Sequence, residues 1–289
     1  MTSPDAVVGT AFPGWEPHPD VWLVVGLLVV GYWIAITRLG PAHAPDPSRP
    51  VSRLQVMCFV LGAAALWIAS DWPVHDVAER YNYSMHMVQH LTFSMIAVPL
   101  LVLATPGWLL RWMLRPGDVL RTVQVLTRFF PALVVFNLVL IFTHWPALVD
   151  VSLANGLVHL GVHVLIVVTS FLVWMPVLSP LPEVPRLAAP LRAVFLFLQS
   201  IVPTVPASFL TFGSAPLYRG YEDFPHLWGL TTLEDQRVAG LIMKIGAGIL
   251  LWALIAVIFF RWAAEEDRRN LPRQTWQDLD RNLTESGTR

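Results

Sequence analysis

Residues 81–106 read YNYSMHMVQHLTFSMIAVPLLVLATP. His86 and His90 stand four apart at its start, and the residues from Leu91 to Pro106 carry no charge. An i, i+4 pair sets both imidazoles on one helix face, about 40° apart around the axis. NGLVHLGVHVLIVV, residues 155–168, repeats the arrangement with His159 and His163. Two such helices can aim four nitrogen ligands at one point. Polar groups of this kind are costly inside a bilayer, so their presence asks for a reason.

The rest of the chain supplies the bilayer. Of 289 residues, 55% are hydrophobic and 13% charged, where a soluble domain averages about 25% charged. Mean hydropathy is +0.57. Apolar runs lie near 21–37, 54–70, 87–105, 129–145, 157–178, 191–212 and 239–262. Each approaches or exceeds the roughly 20 residues a spanning helix needs. The expected fold is an all-α integral membrane protein, a seven-transmembrane helix bundle. No Lys or Arg precedes the first run, so it is read as a retained span and not a secretory leader.

Basic residues set the orientation. The first, third and fifth loops and the C-terminal stretch carry fifteen Arg, against Arg80, Arg219 and Arg237 on the other side. The N-terminus is therefore expected outside and the C-terminus in the cytoplasm. Residues 1–20 read as an outer tail, 21–262 as the transmembrane domain and 263–289 as a charged cytoplasmic tail. Eight of nine histidines then fall on the outer side, with His43 alone in the cytoplasm. The net charge of −1 says nothing about partners, and nucleic acid is not among those expected.

Cys58 is the single cysteine, which excludes an internal disulfide and a CxxC site; it reads as packing. Residues 38–53, beginning RLGPAHAPDPSRP, read as a Pro-rich linker. Thirteen Trp fit an aromatic belt. Pro203 and Pro206 should kink the sixth span.

Imidazole suits copper, zinc and iron, and thioether selects Cu(I). His86, Met87 and His90 share an arc of about 100° at the outer end of their helix, a copper-like set. His75 and His144 are further candidate ligands at the outer edges of their spans. In EDQRVAGLIM, residues 234–243, Gln236, Gly240 and Met243 share a face. Gly240 is expected to admit a neighbouring helix, as are Gly156 and Gly161 beside the second pair. Asp235 reads either as an acceptor for a ligand imidazole N–H or as a helix N-cap. Lys244 is expected to snorkel to the outer surface.

Taken together, MHMVQH, VPLLVLATP, HLGVH, PASFLTFGSAPLY and EDQRVAGLIM resemble the Bacillus-type CtaG family of cytochrome c oxidase assembly factors. The resemblance covers roughly residues 20 to 262. It implies a multi-pass protein of the bacterial cell (inner) membrane that helps insert copper into a haem-copper oxidase, chiefly its copper B centre. The matching positions are Met85, His86, Met87, His90, His159, His163, Asp235, Gln236 and Met243. The expected cargo is copper, chiefly Cu(I). The expected partners are the oxidase catalytic subunit or another copper chaperone, besides the lipid bilayer. No catalytic turnover is expected, and no GxxxxGK[ST] loop for nucleotide is present.

Two rivals share the residues. A b-type haem could take two axial His from facing helices, such as His90 and His163, although i, i+4 doubling is then superfluous. A membrane di-iron enzyme also uses HxxxH spacing, but it usually adds adjacent HH pairs, absent here, and faces the cytoplasm.

Overall fold

In the computed structural model, which describes residues 12–115, 117–270 and 281, the described residues form helices and loops without a strand. The helices are α1 (Pro19–His43), α2 (Arg53–Ser70), α3 (Val74–Arg80), α4 (Tyr83–Ala104), α5 (Gly107–Met113) and α6 (Gly117–Leu126). They continue with α7 (Phe129–Thr143), α8 (Pro146–Ala154), α9 (Gly156–Leu178), α10 (Ala189–Ile201), α11 (Thr204–Phe212) and α12 (Thr232–Arg269). Six stretches are long and apolar enough to cross a bilayer: α1, α2 with α3, α4, α9, α10 with α11, and α12.

The fourth expected span departs from this pattern. α7 has 15 residues, about 22 Å at 1.5 Å per residue, too short to cross the hydrocarbon alone. Only joined to α6, across a bend of 82°, does it give a seventh span. Trp145-Pro146 explains the early stop, since the residue before proline is pushed out of the helical region. Trp145 indeed has φ −70° and ψ 127°.

Other boundaries move for local reasons. α1 continues through Gly40–His43, with Pro41 just after a π turn at Ala35–Leu39 that has already shifted the hydrogen-bond ladder. The linker therefore starts at Ala44. The last helix runs on to Asn270, so 263–270 are helical; of 271–289 only Arg281 is described. Of the outer tail, residues 1–11 lie outside the described residues. The sixth span breaks at Val202-Pro203, as its prolines foretold. The loosened backbone there is tied by hydroxyls: Ser200 donates to Phe197 O at 2.7 Å and Thr204 to Ser200 O at 3.1 Å.

α4 is the centre of the bundle. It packs against α2, α3, α9 and α12, while α10 lies on α12, α11 on α12 and α7 on α9. Its apolar window is 56% buried, against 6% for the peripheral α1. One apolar cluster, including Val98, Phe136, Trp174, Phe195 and Leu251, fills one half of the bundle. A second, around Tyr83, Met87, Leu210, Tyr218, Tyr221 and Met243, closes the end where α4 begins. Cys58 packs with Phe59, Ala63 and Leu101, as expected of a small apolar side chain.

Two π turns interrupt the helices near the centre, Thr92–Ala97 in α4 and Ile242–Gly246 in α12. Such turns displace the ladder by one residue and leave carbonyls to be claimed. The Trp174 indole N–H claims that of Ser94, at 2.7 Å.

Candidate metal centre

The two histidine pairs meet. α4 carries His86 and His90, α9 carries His159 and His163, and these helices pack directly. Asn155 starts α9 by accepting the N–H groups of Leu157 and Val158 at 3.0 and 3.3 Å. This places His159 in the first turn, facing α4.

Ring centroids lie 4.1 Å apart for His86–His90, 4.2 Å for His159–His163, 5.6 Å for His86–His159 and 5.1 Å for His90–His163. One nitrogen each from His86, His159 and His163 lies within 4.8 Å of the others. An ion about 2.0–2.1 Å from each nitrogen needs them roughly 3.4 Å apart, a closure of little more than an ångström. A cavity of about 20 Å³ beside them is lined by His86, His90, Ser152, His159 and Tyr221.

Six buried ring nitrogens here make no hydrogen bond. His86 Nδ1, both nitrogens of His90, and Nε2 of His144, His159 and His163 are buried with no hydrogen bond. Leaving such a group without a partner costs about 1–3 kcal/mol. His159 Nε2 lies 2.9 Å from Glu79 Oε1, close enough for an ion pair though off the line of a hydrogen bond. Its Nδ1 lies 3.3 Å from the Ser152 hydroxyl.

Of the other expected residues, His75 stands at the edge. Its Nε2 is 3.2 Å from Glu79 Oε1, and its Nδ1 is 3.3 Å from Gln89 Nε2. Glu79 thus sits between His75 and His159. It was missed in the sequence, although HDVAE places it four residues after His75 on one helix face. His18 extends the row outward, its ring 4.9 Å from that of His75 and its Nε2 2.9 Å from Asp76 Oδ2.

Met87 and Met243, each nearly fully buried, line a second cavity of about 50 Å³ with His90, His144 and Met95. The expected set therefore divides into an imidazole group and a mixed group. Met95, also missed, enters through the π turn of α4.

Asp235 is a cap, but of another helix. It is 1% exposed and accepts the Tyr83 N–H at 2.6 Å, the Ser84 N–H at 3.3 Å, the Asn82 amide at 3.0 Å and the Ser84 hydroxyl. Both oxygens are taken up at the start of α4, and neither contacts an imidazole. Its own helix is capped by Thr231 with Glu234. Gln236 accepts from Leu217 N–H and donates to Leu210 O. This folds the 213–231 loop over the site, where Tyr218 donates to His144 O at 2.9 Å. Burial pushes the Tyr218 hydroxyl up to about 12, keeping it a neutral donor.

Gly240 meets the expectation of close approach: a Cβ there would lie 2.5 Å from Thr211 Oγ1 and 2.8 Å from Ala207 O. Gly156 and Gly161 do not, since a Cβ at either meets nothing within 4 Å. Gly161 lies on the face of α9 opposite the histidines, and Gly156 is exposed at the start of the helix. Lys244 is exposed, with its ammonium 5.9 Å from the Phe212 ring centroid.

Fold and site define a bundle of membrane-length apolar helices with an imidazole cluster buried where two of them cross. The chain belongs to the cytochrome c oxidase caa3 assembly factor family, Caa3_CtaG, whose family model matches residues 30–265. No curated protein and no solved structure matches it. The family bears out the resemblance carried by MHMVQH and EDQRVAGLIM, and it assigns the chain to oxidase assembly.

Proposed function

We propose that the protein holds a copper ion at His86, His159 and His163 and passes it to the catalytic subunit of a haem-copper oxidase during assembly. One observation carries this reading: one ring nitrogen each from His86, His159 and His163 lies within 4.8 Å of the other two, and each of these rings has a buried nitrogen with no hydrogen bond. An all-imidazole set suits copper, zinc or iron, and the oxidase named by the family is a haem-copper enzyme. No turnover is required of the protein; binding, shielding and release suffice.

The orientation follows the cation asymmetry, with the histidine end outside and the C-terminus in the cytoplasm. On this reading a site a few residues inside α4 and α9 meets the client's copper centre at similar depth. A lateral transfer then spares the ion a crossing of bare hydrocarbon.

Room disfavours haem. The two cavities beside the histidines measure about 20 and 50 Å³, far below the volume of a macrocycle. A membrane di-iron site of the histidine-rich kind is disfavoured by the sequence, which holds no adjacent HH pair.

The test is a deletion strain grown under copper limitation. It should accumulate oxidase that contains haem but lacks copper and activity, with partial rescue by external copper. A fully metallated oxidase in that strain would overturn the assignment in favour of general copper handling.

A further inference from the structure

The triad leaves two buried histidines unused. His90 is 8% exposed, and neither of its ring nitrogens has a hydrogen bond. A neutral imidazole carries one N–H and one lone pair, so both capacities are unmet. His144 differs in a telling way. Its Nδ1 lies 2.7 Å from Leu140 O and donates to it, which fixes the tautomer and leaves the Nε2 lone pair free and buried. Holding one ring nitrogen by a carbonyl is how ligand histidines are oriented.

These two rings lie 6.5 Å apart between centroids, and both line the cavity of about 50 Å³ between α4, α7, α9 and α12. The remaining polarisable atoms on its wall are thioethers. Met87 and Met243 are 3% and 4% exposed, and Met95 lies on the same wall. Their placement follows from the backbone: Met95 and Met243 both sit within the π turns, Thr92–Ala97 and Ile242–Gly246. The rest of the lining is apolar, including Leu91, Phe136, Ile166 and Ala247, apart from the Ser94, Thr143 and Thr169 hydroxyls, each of which donates to a carbonyl of its own helix. Such a cavity holds one small ion. Borderline nitrogen with soft sulfur is a donor set for Cu(I), and Ag(I) is its redox-inert analogue.

We infer that the protein has a second metal site, selective for Cu(I), formed by His90, His144, Met87 and Met243 one helical turn along α4 from the His86, His159, His163 triad. The inference rests on the copper reading of that triad and adds a resting place beyond it. His90 joins the two, its ring 4.1 Å from His86 and 5.1 Å from His163. An ion leaving the triad therefore meets the next nitrogen without entering lipid. The two sites differ in softness, so Cu(I) is retained where Zn(II) is not.

The experiment uses the full chain in detergent, under anaerobic conditions, with Cu(I), Ag(I) and Zn(II) as separate probes. Stoichiometry and X-ray absorption are read for wild type, for Met87→Leu/Met243→Leu and for His159→Ala/His163→Ala. The wild type should bind two Cu(I) per chain with sulfur in the coordination sphere. The Met→Leu pair, chosen to conserve volume, should lose one Cu(I) or Ag(I) and its sulfur scattering. It should keep Zn(II) at the triad, which also reports a folded protein. Absence of sulfur scattering in wild type, or its persistence in the Met→Leu pair, overturns the second site. If the His→Ala pair keeps Zn(II) while the Met→Leu pair loses sulfur-bound Cu(I), the triad reading fails and the second site stands. The reverse pattern removes the second site and leaves the triad.

Discussion

Asp235, in the first turn of α12, accepts the backbone N–H of Tyr83 at 2.6 Å, although 152 residues separate them. Tyr83 opens α4, so a carboxylate from one helix caps the N-terminus of the helix that carries His86, Met87 and His90. The bond sets how α4 enters the bundle, and hence where its imidazoles point. A carboxylate here also meets the positive end of the helix dipole.

Asp235→Ala should therefore strip partners from the Tyr83 and Ser84 N–H groups and the Asn82 amide, all buried. The expected cost is about 3 kcal/mol or more, read as a lowered Tm in detergent. Copper binding should weaken with it. Asp235→Asn keeps one acceptor oxygen and should fall between. A Tm for Asp235→Ala equal to wild type would show that the cap does not hold α4.

Gly240 and Gly161 make a paired test. Gly240→Ala drives a Cβ to 2.8 Å from the Ala207 carbonyl, a backbone atom that cannot yield cheaply, and should cost about 1–3 kcal/mol. Gly161→Ala meets open space and should be neutral, or stabilising by roughly 0.5–1 kcal/mol through helix propensity. Thermal unfolding of both variants checks the contrast. Equal effects would mean that α11 and α12 do not pack as described.

Glu79 reaches both His75 Nε2, at 3.2 Å, and His159 Nε2, at 2.9 Å. Glu79→Gln keeps the shape and removes the charge. Copper affinity should drop roughly tenfold, the usual scale for a supporting carboxylate, with Tm little changed. Competition titration against a chelator measures it, and unaltered affinity would leave Glu79 a bystander.

The cation asymmetry predicts that a reporter fused after Arg289 is active only as a cytoplasmic tag. A tag near Pro4 should be reachable from outside intact cells. The opposite labelling would place the histidine end in the cytoplasm and remove the lateral transfer.

What the sequence disclosed was whatever depends on local spacing. The i, i+4 pairs, the apolar runs and the Pro203 break are all properties of neighbouring residues. What it withheld depends on distant ones. Nothing near Asp235 announces that its donors lie at Asn82–Ser84. Nor does an ideal 3.6-residue period locate Met95, because it sits in a π turn that shifts the register by one. The division of the ligand set into two groups was hidden for the same reason. Gly156 and Gly161 misled because a small residue beside a functional one can equally face lipid. The fourth run was carried on to Trp145 because that residue is apolar, while its backbone had already left the helix.

The most direct measurement is the copper content of the purified full chain with His86, His159 and His163 all changed to Ala, set beside wild type and His43→Ala. The triple variant should lose one copper per chain while His43→Ala loses none. A triple variant that binds as much copper as wild type, with unchanged nitrogen coordination by X-ray absorption, would contradict the triad reading.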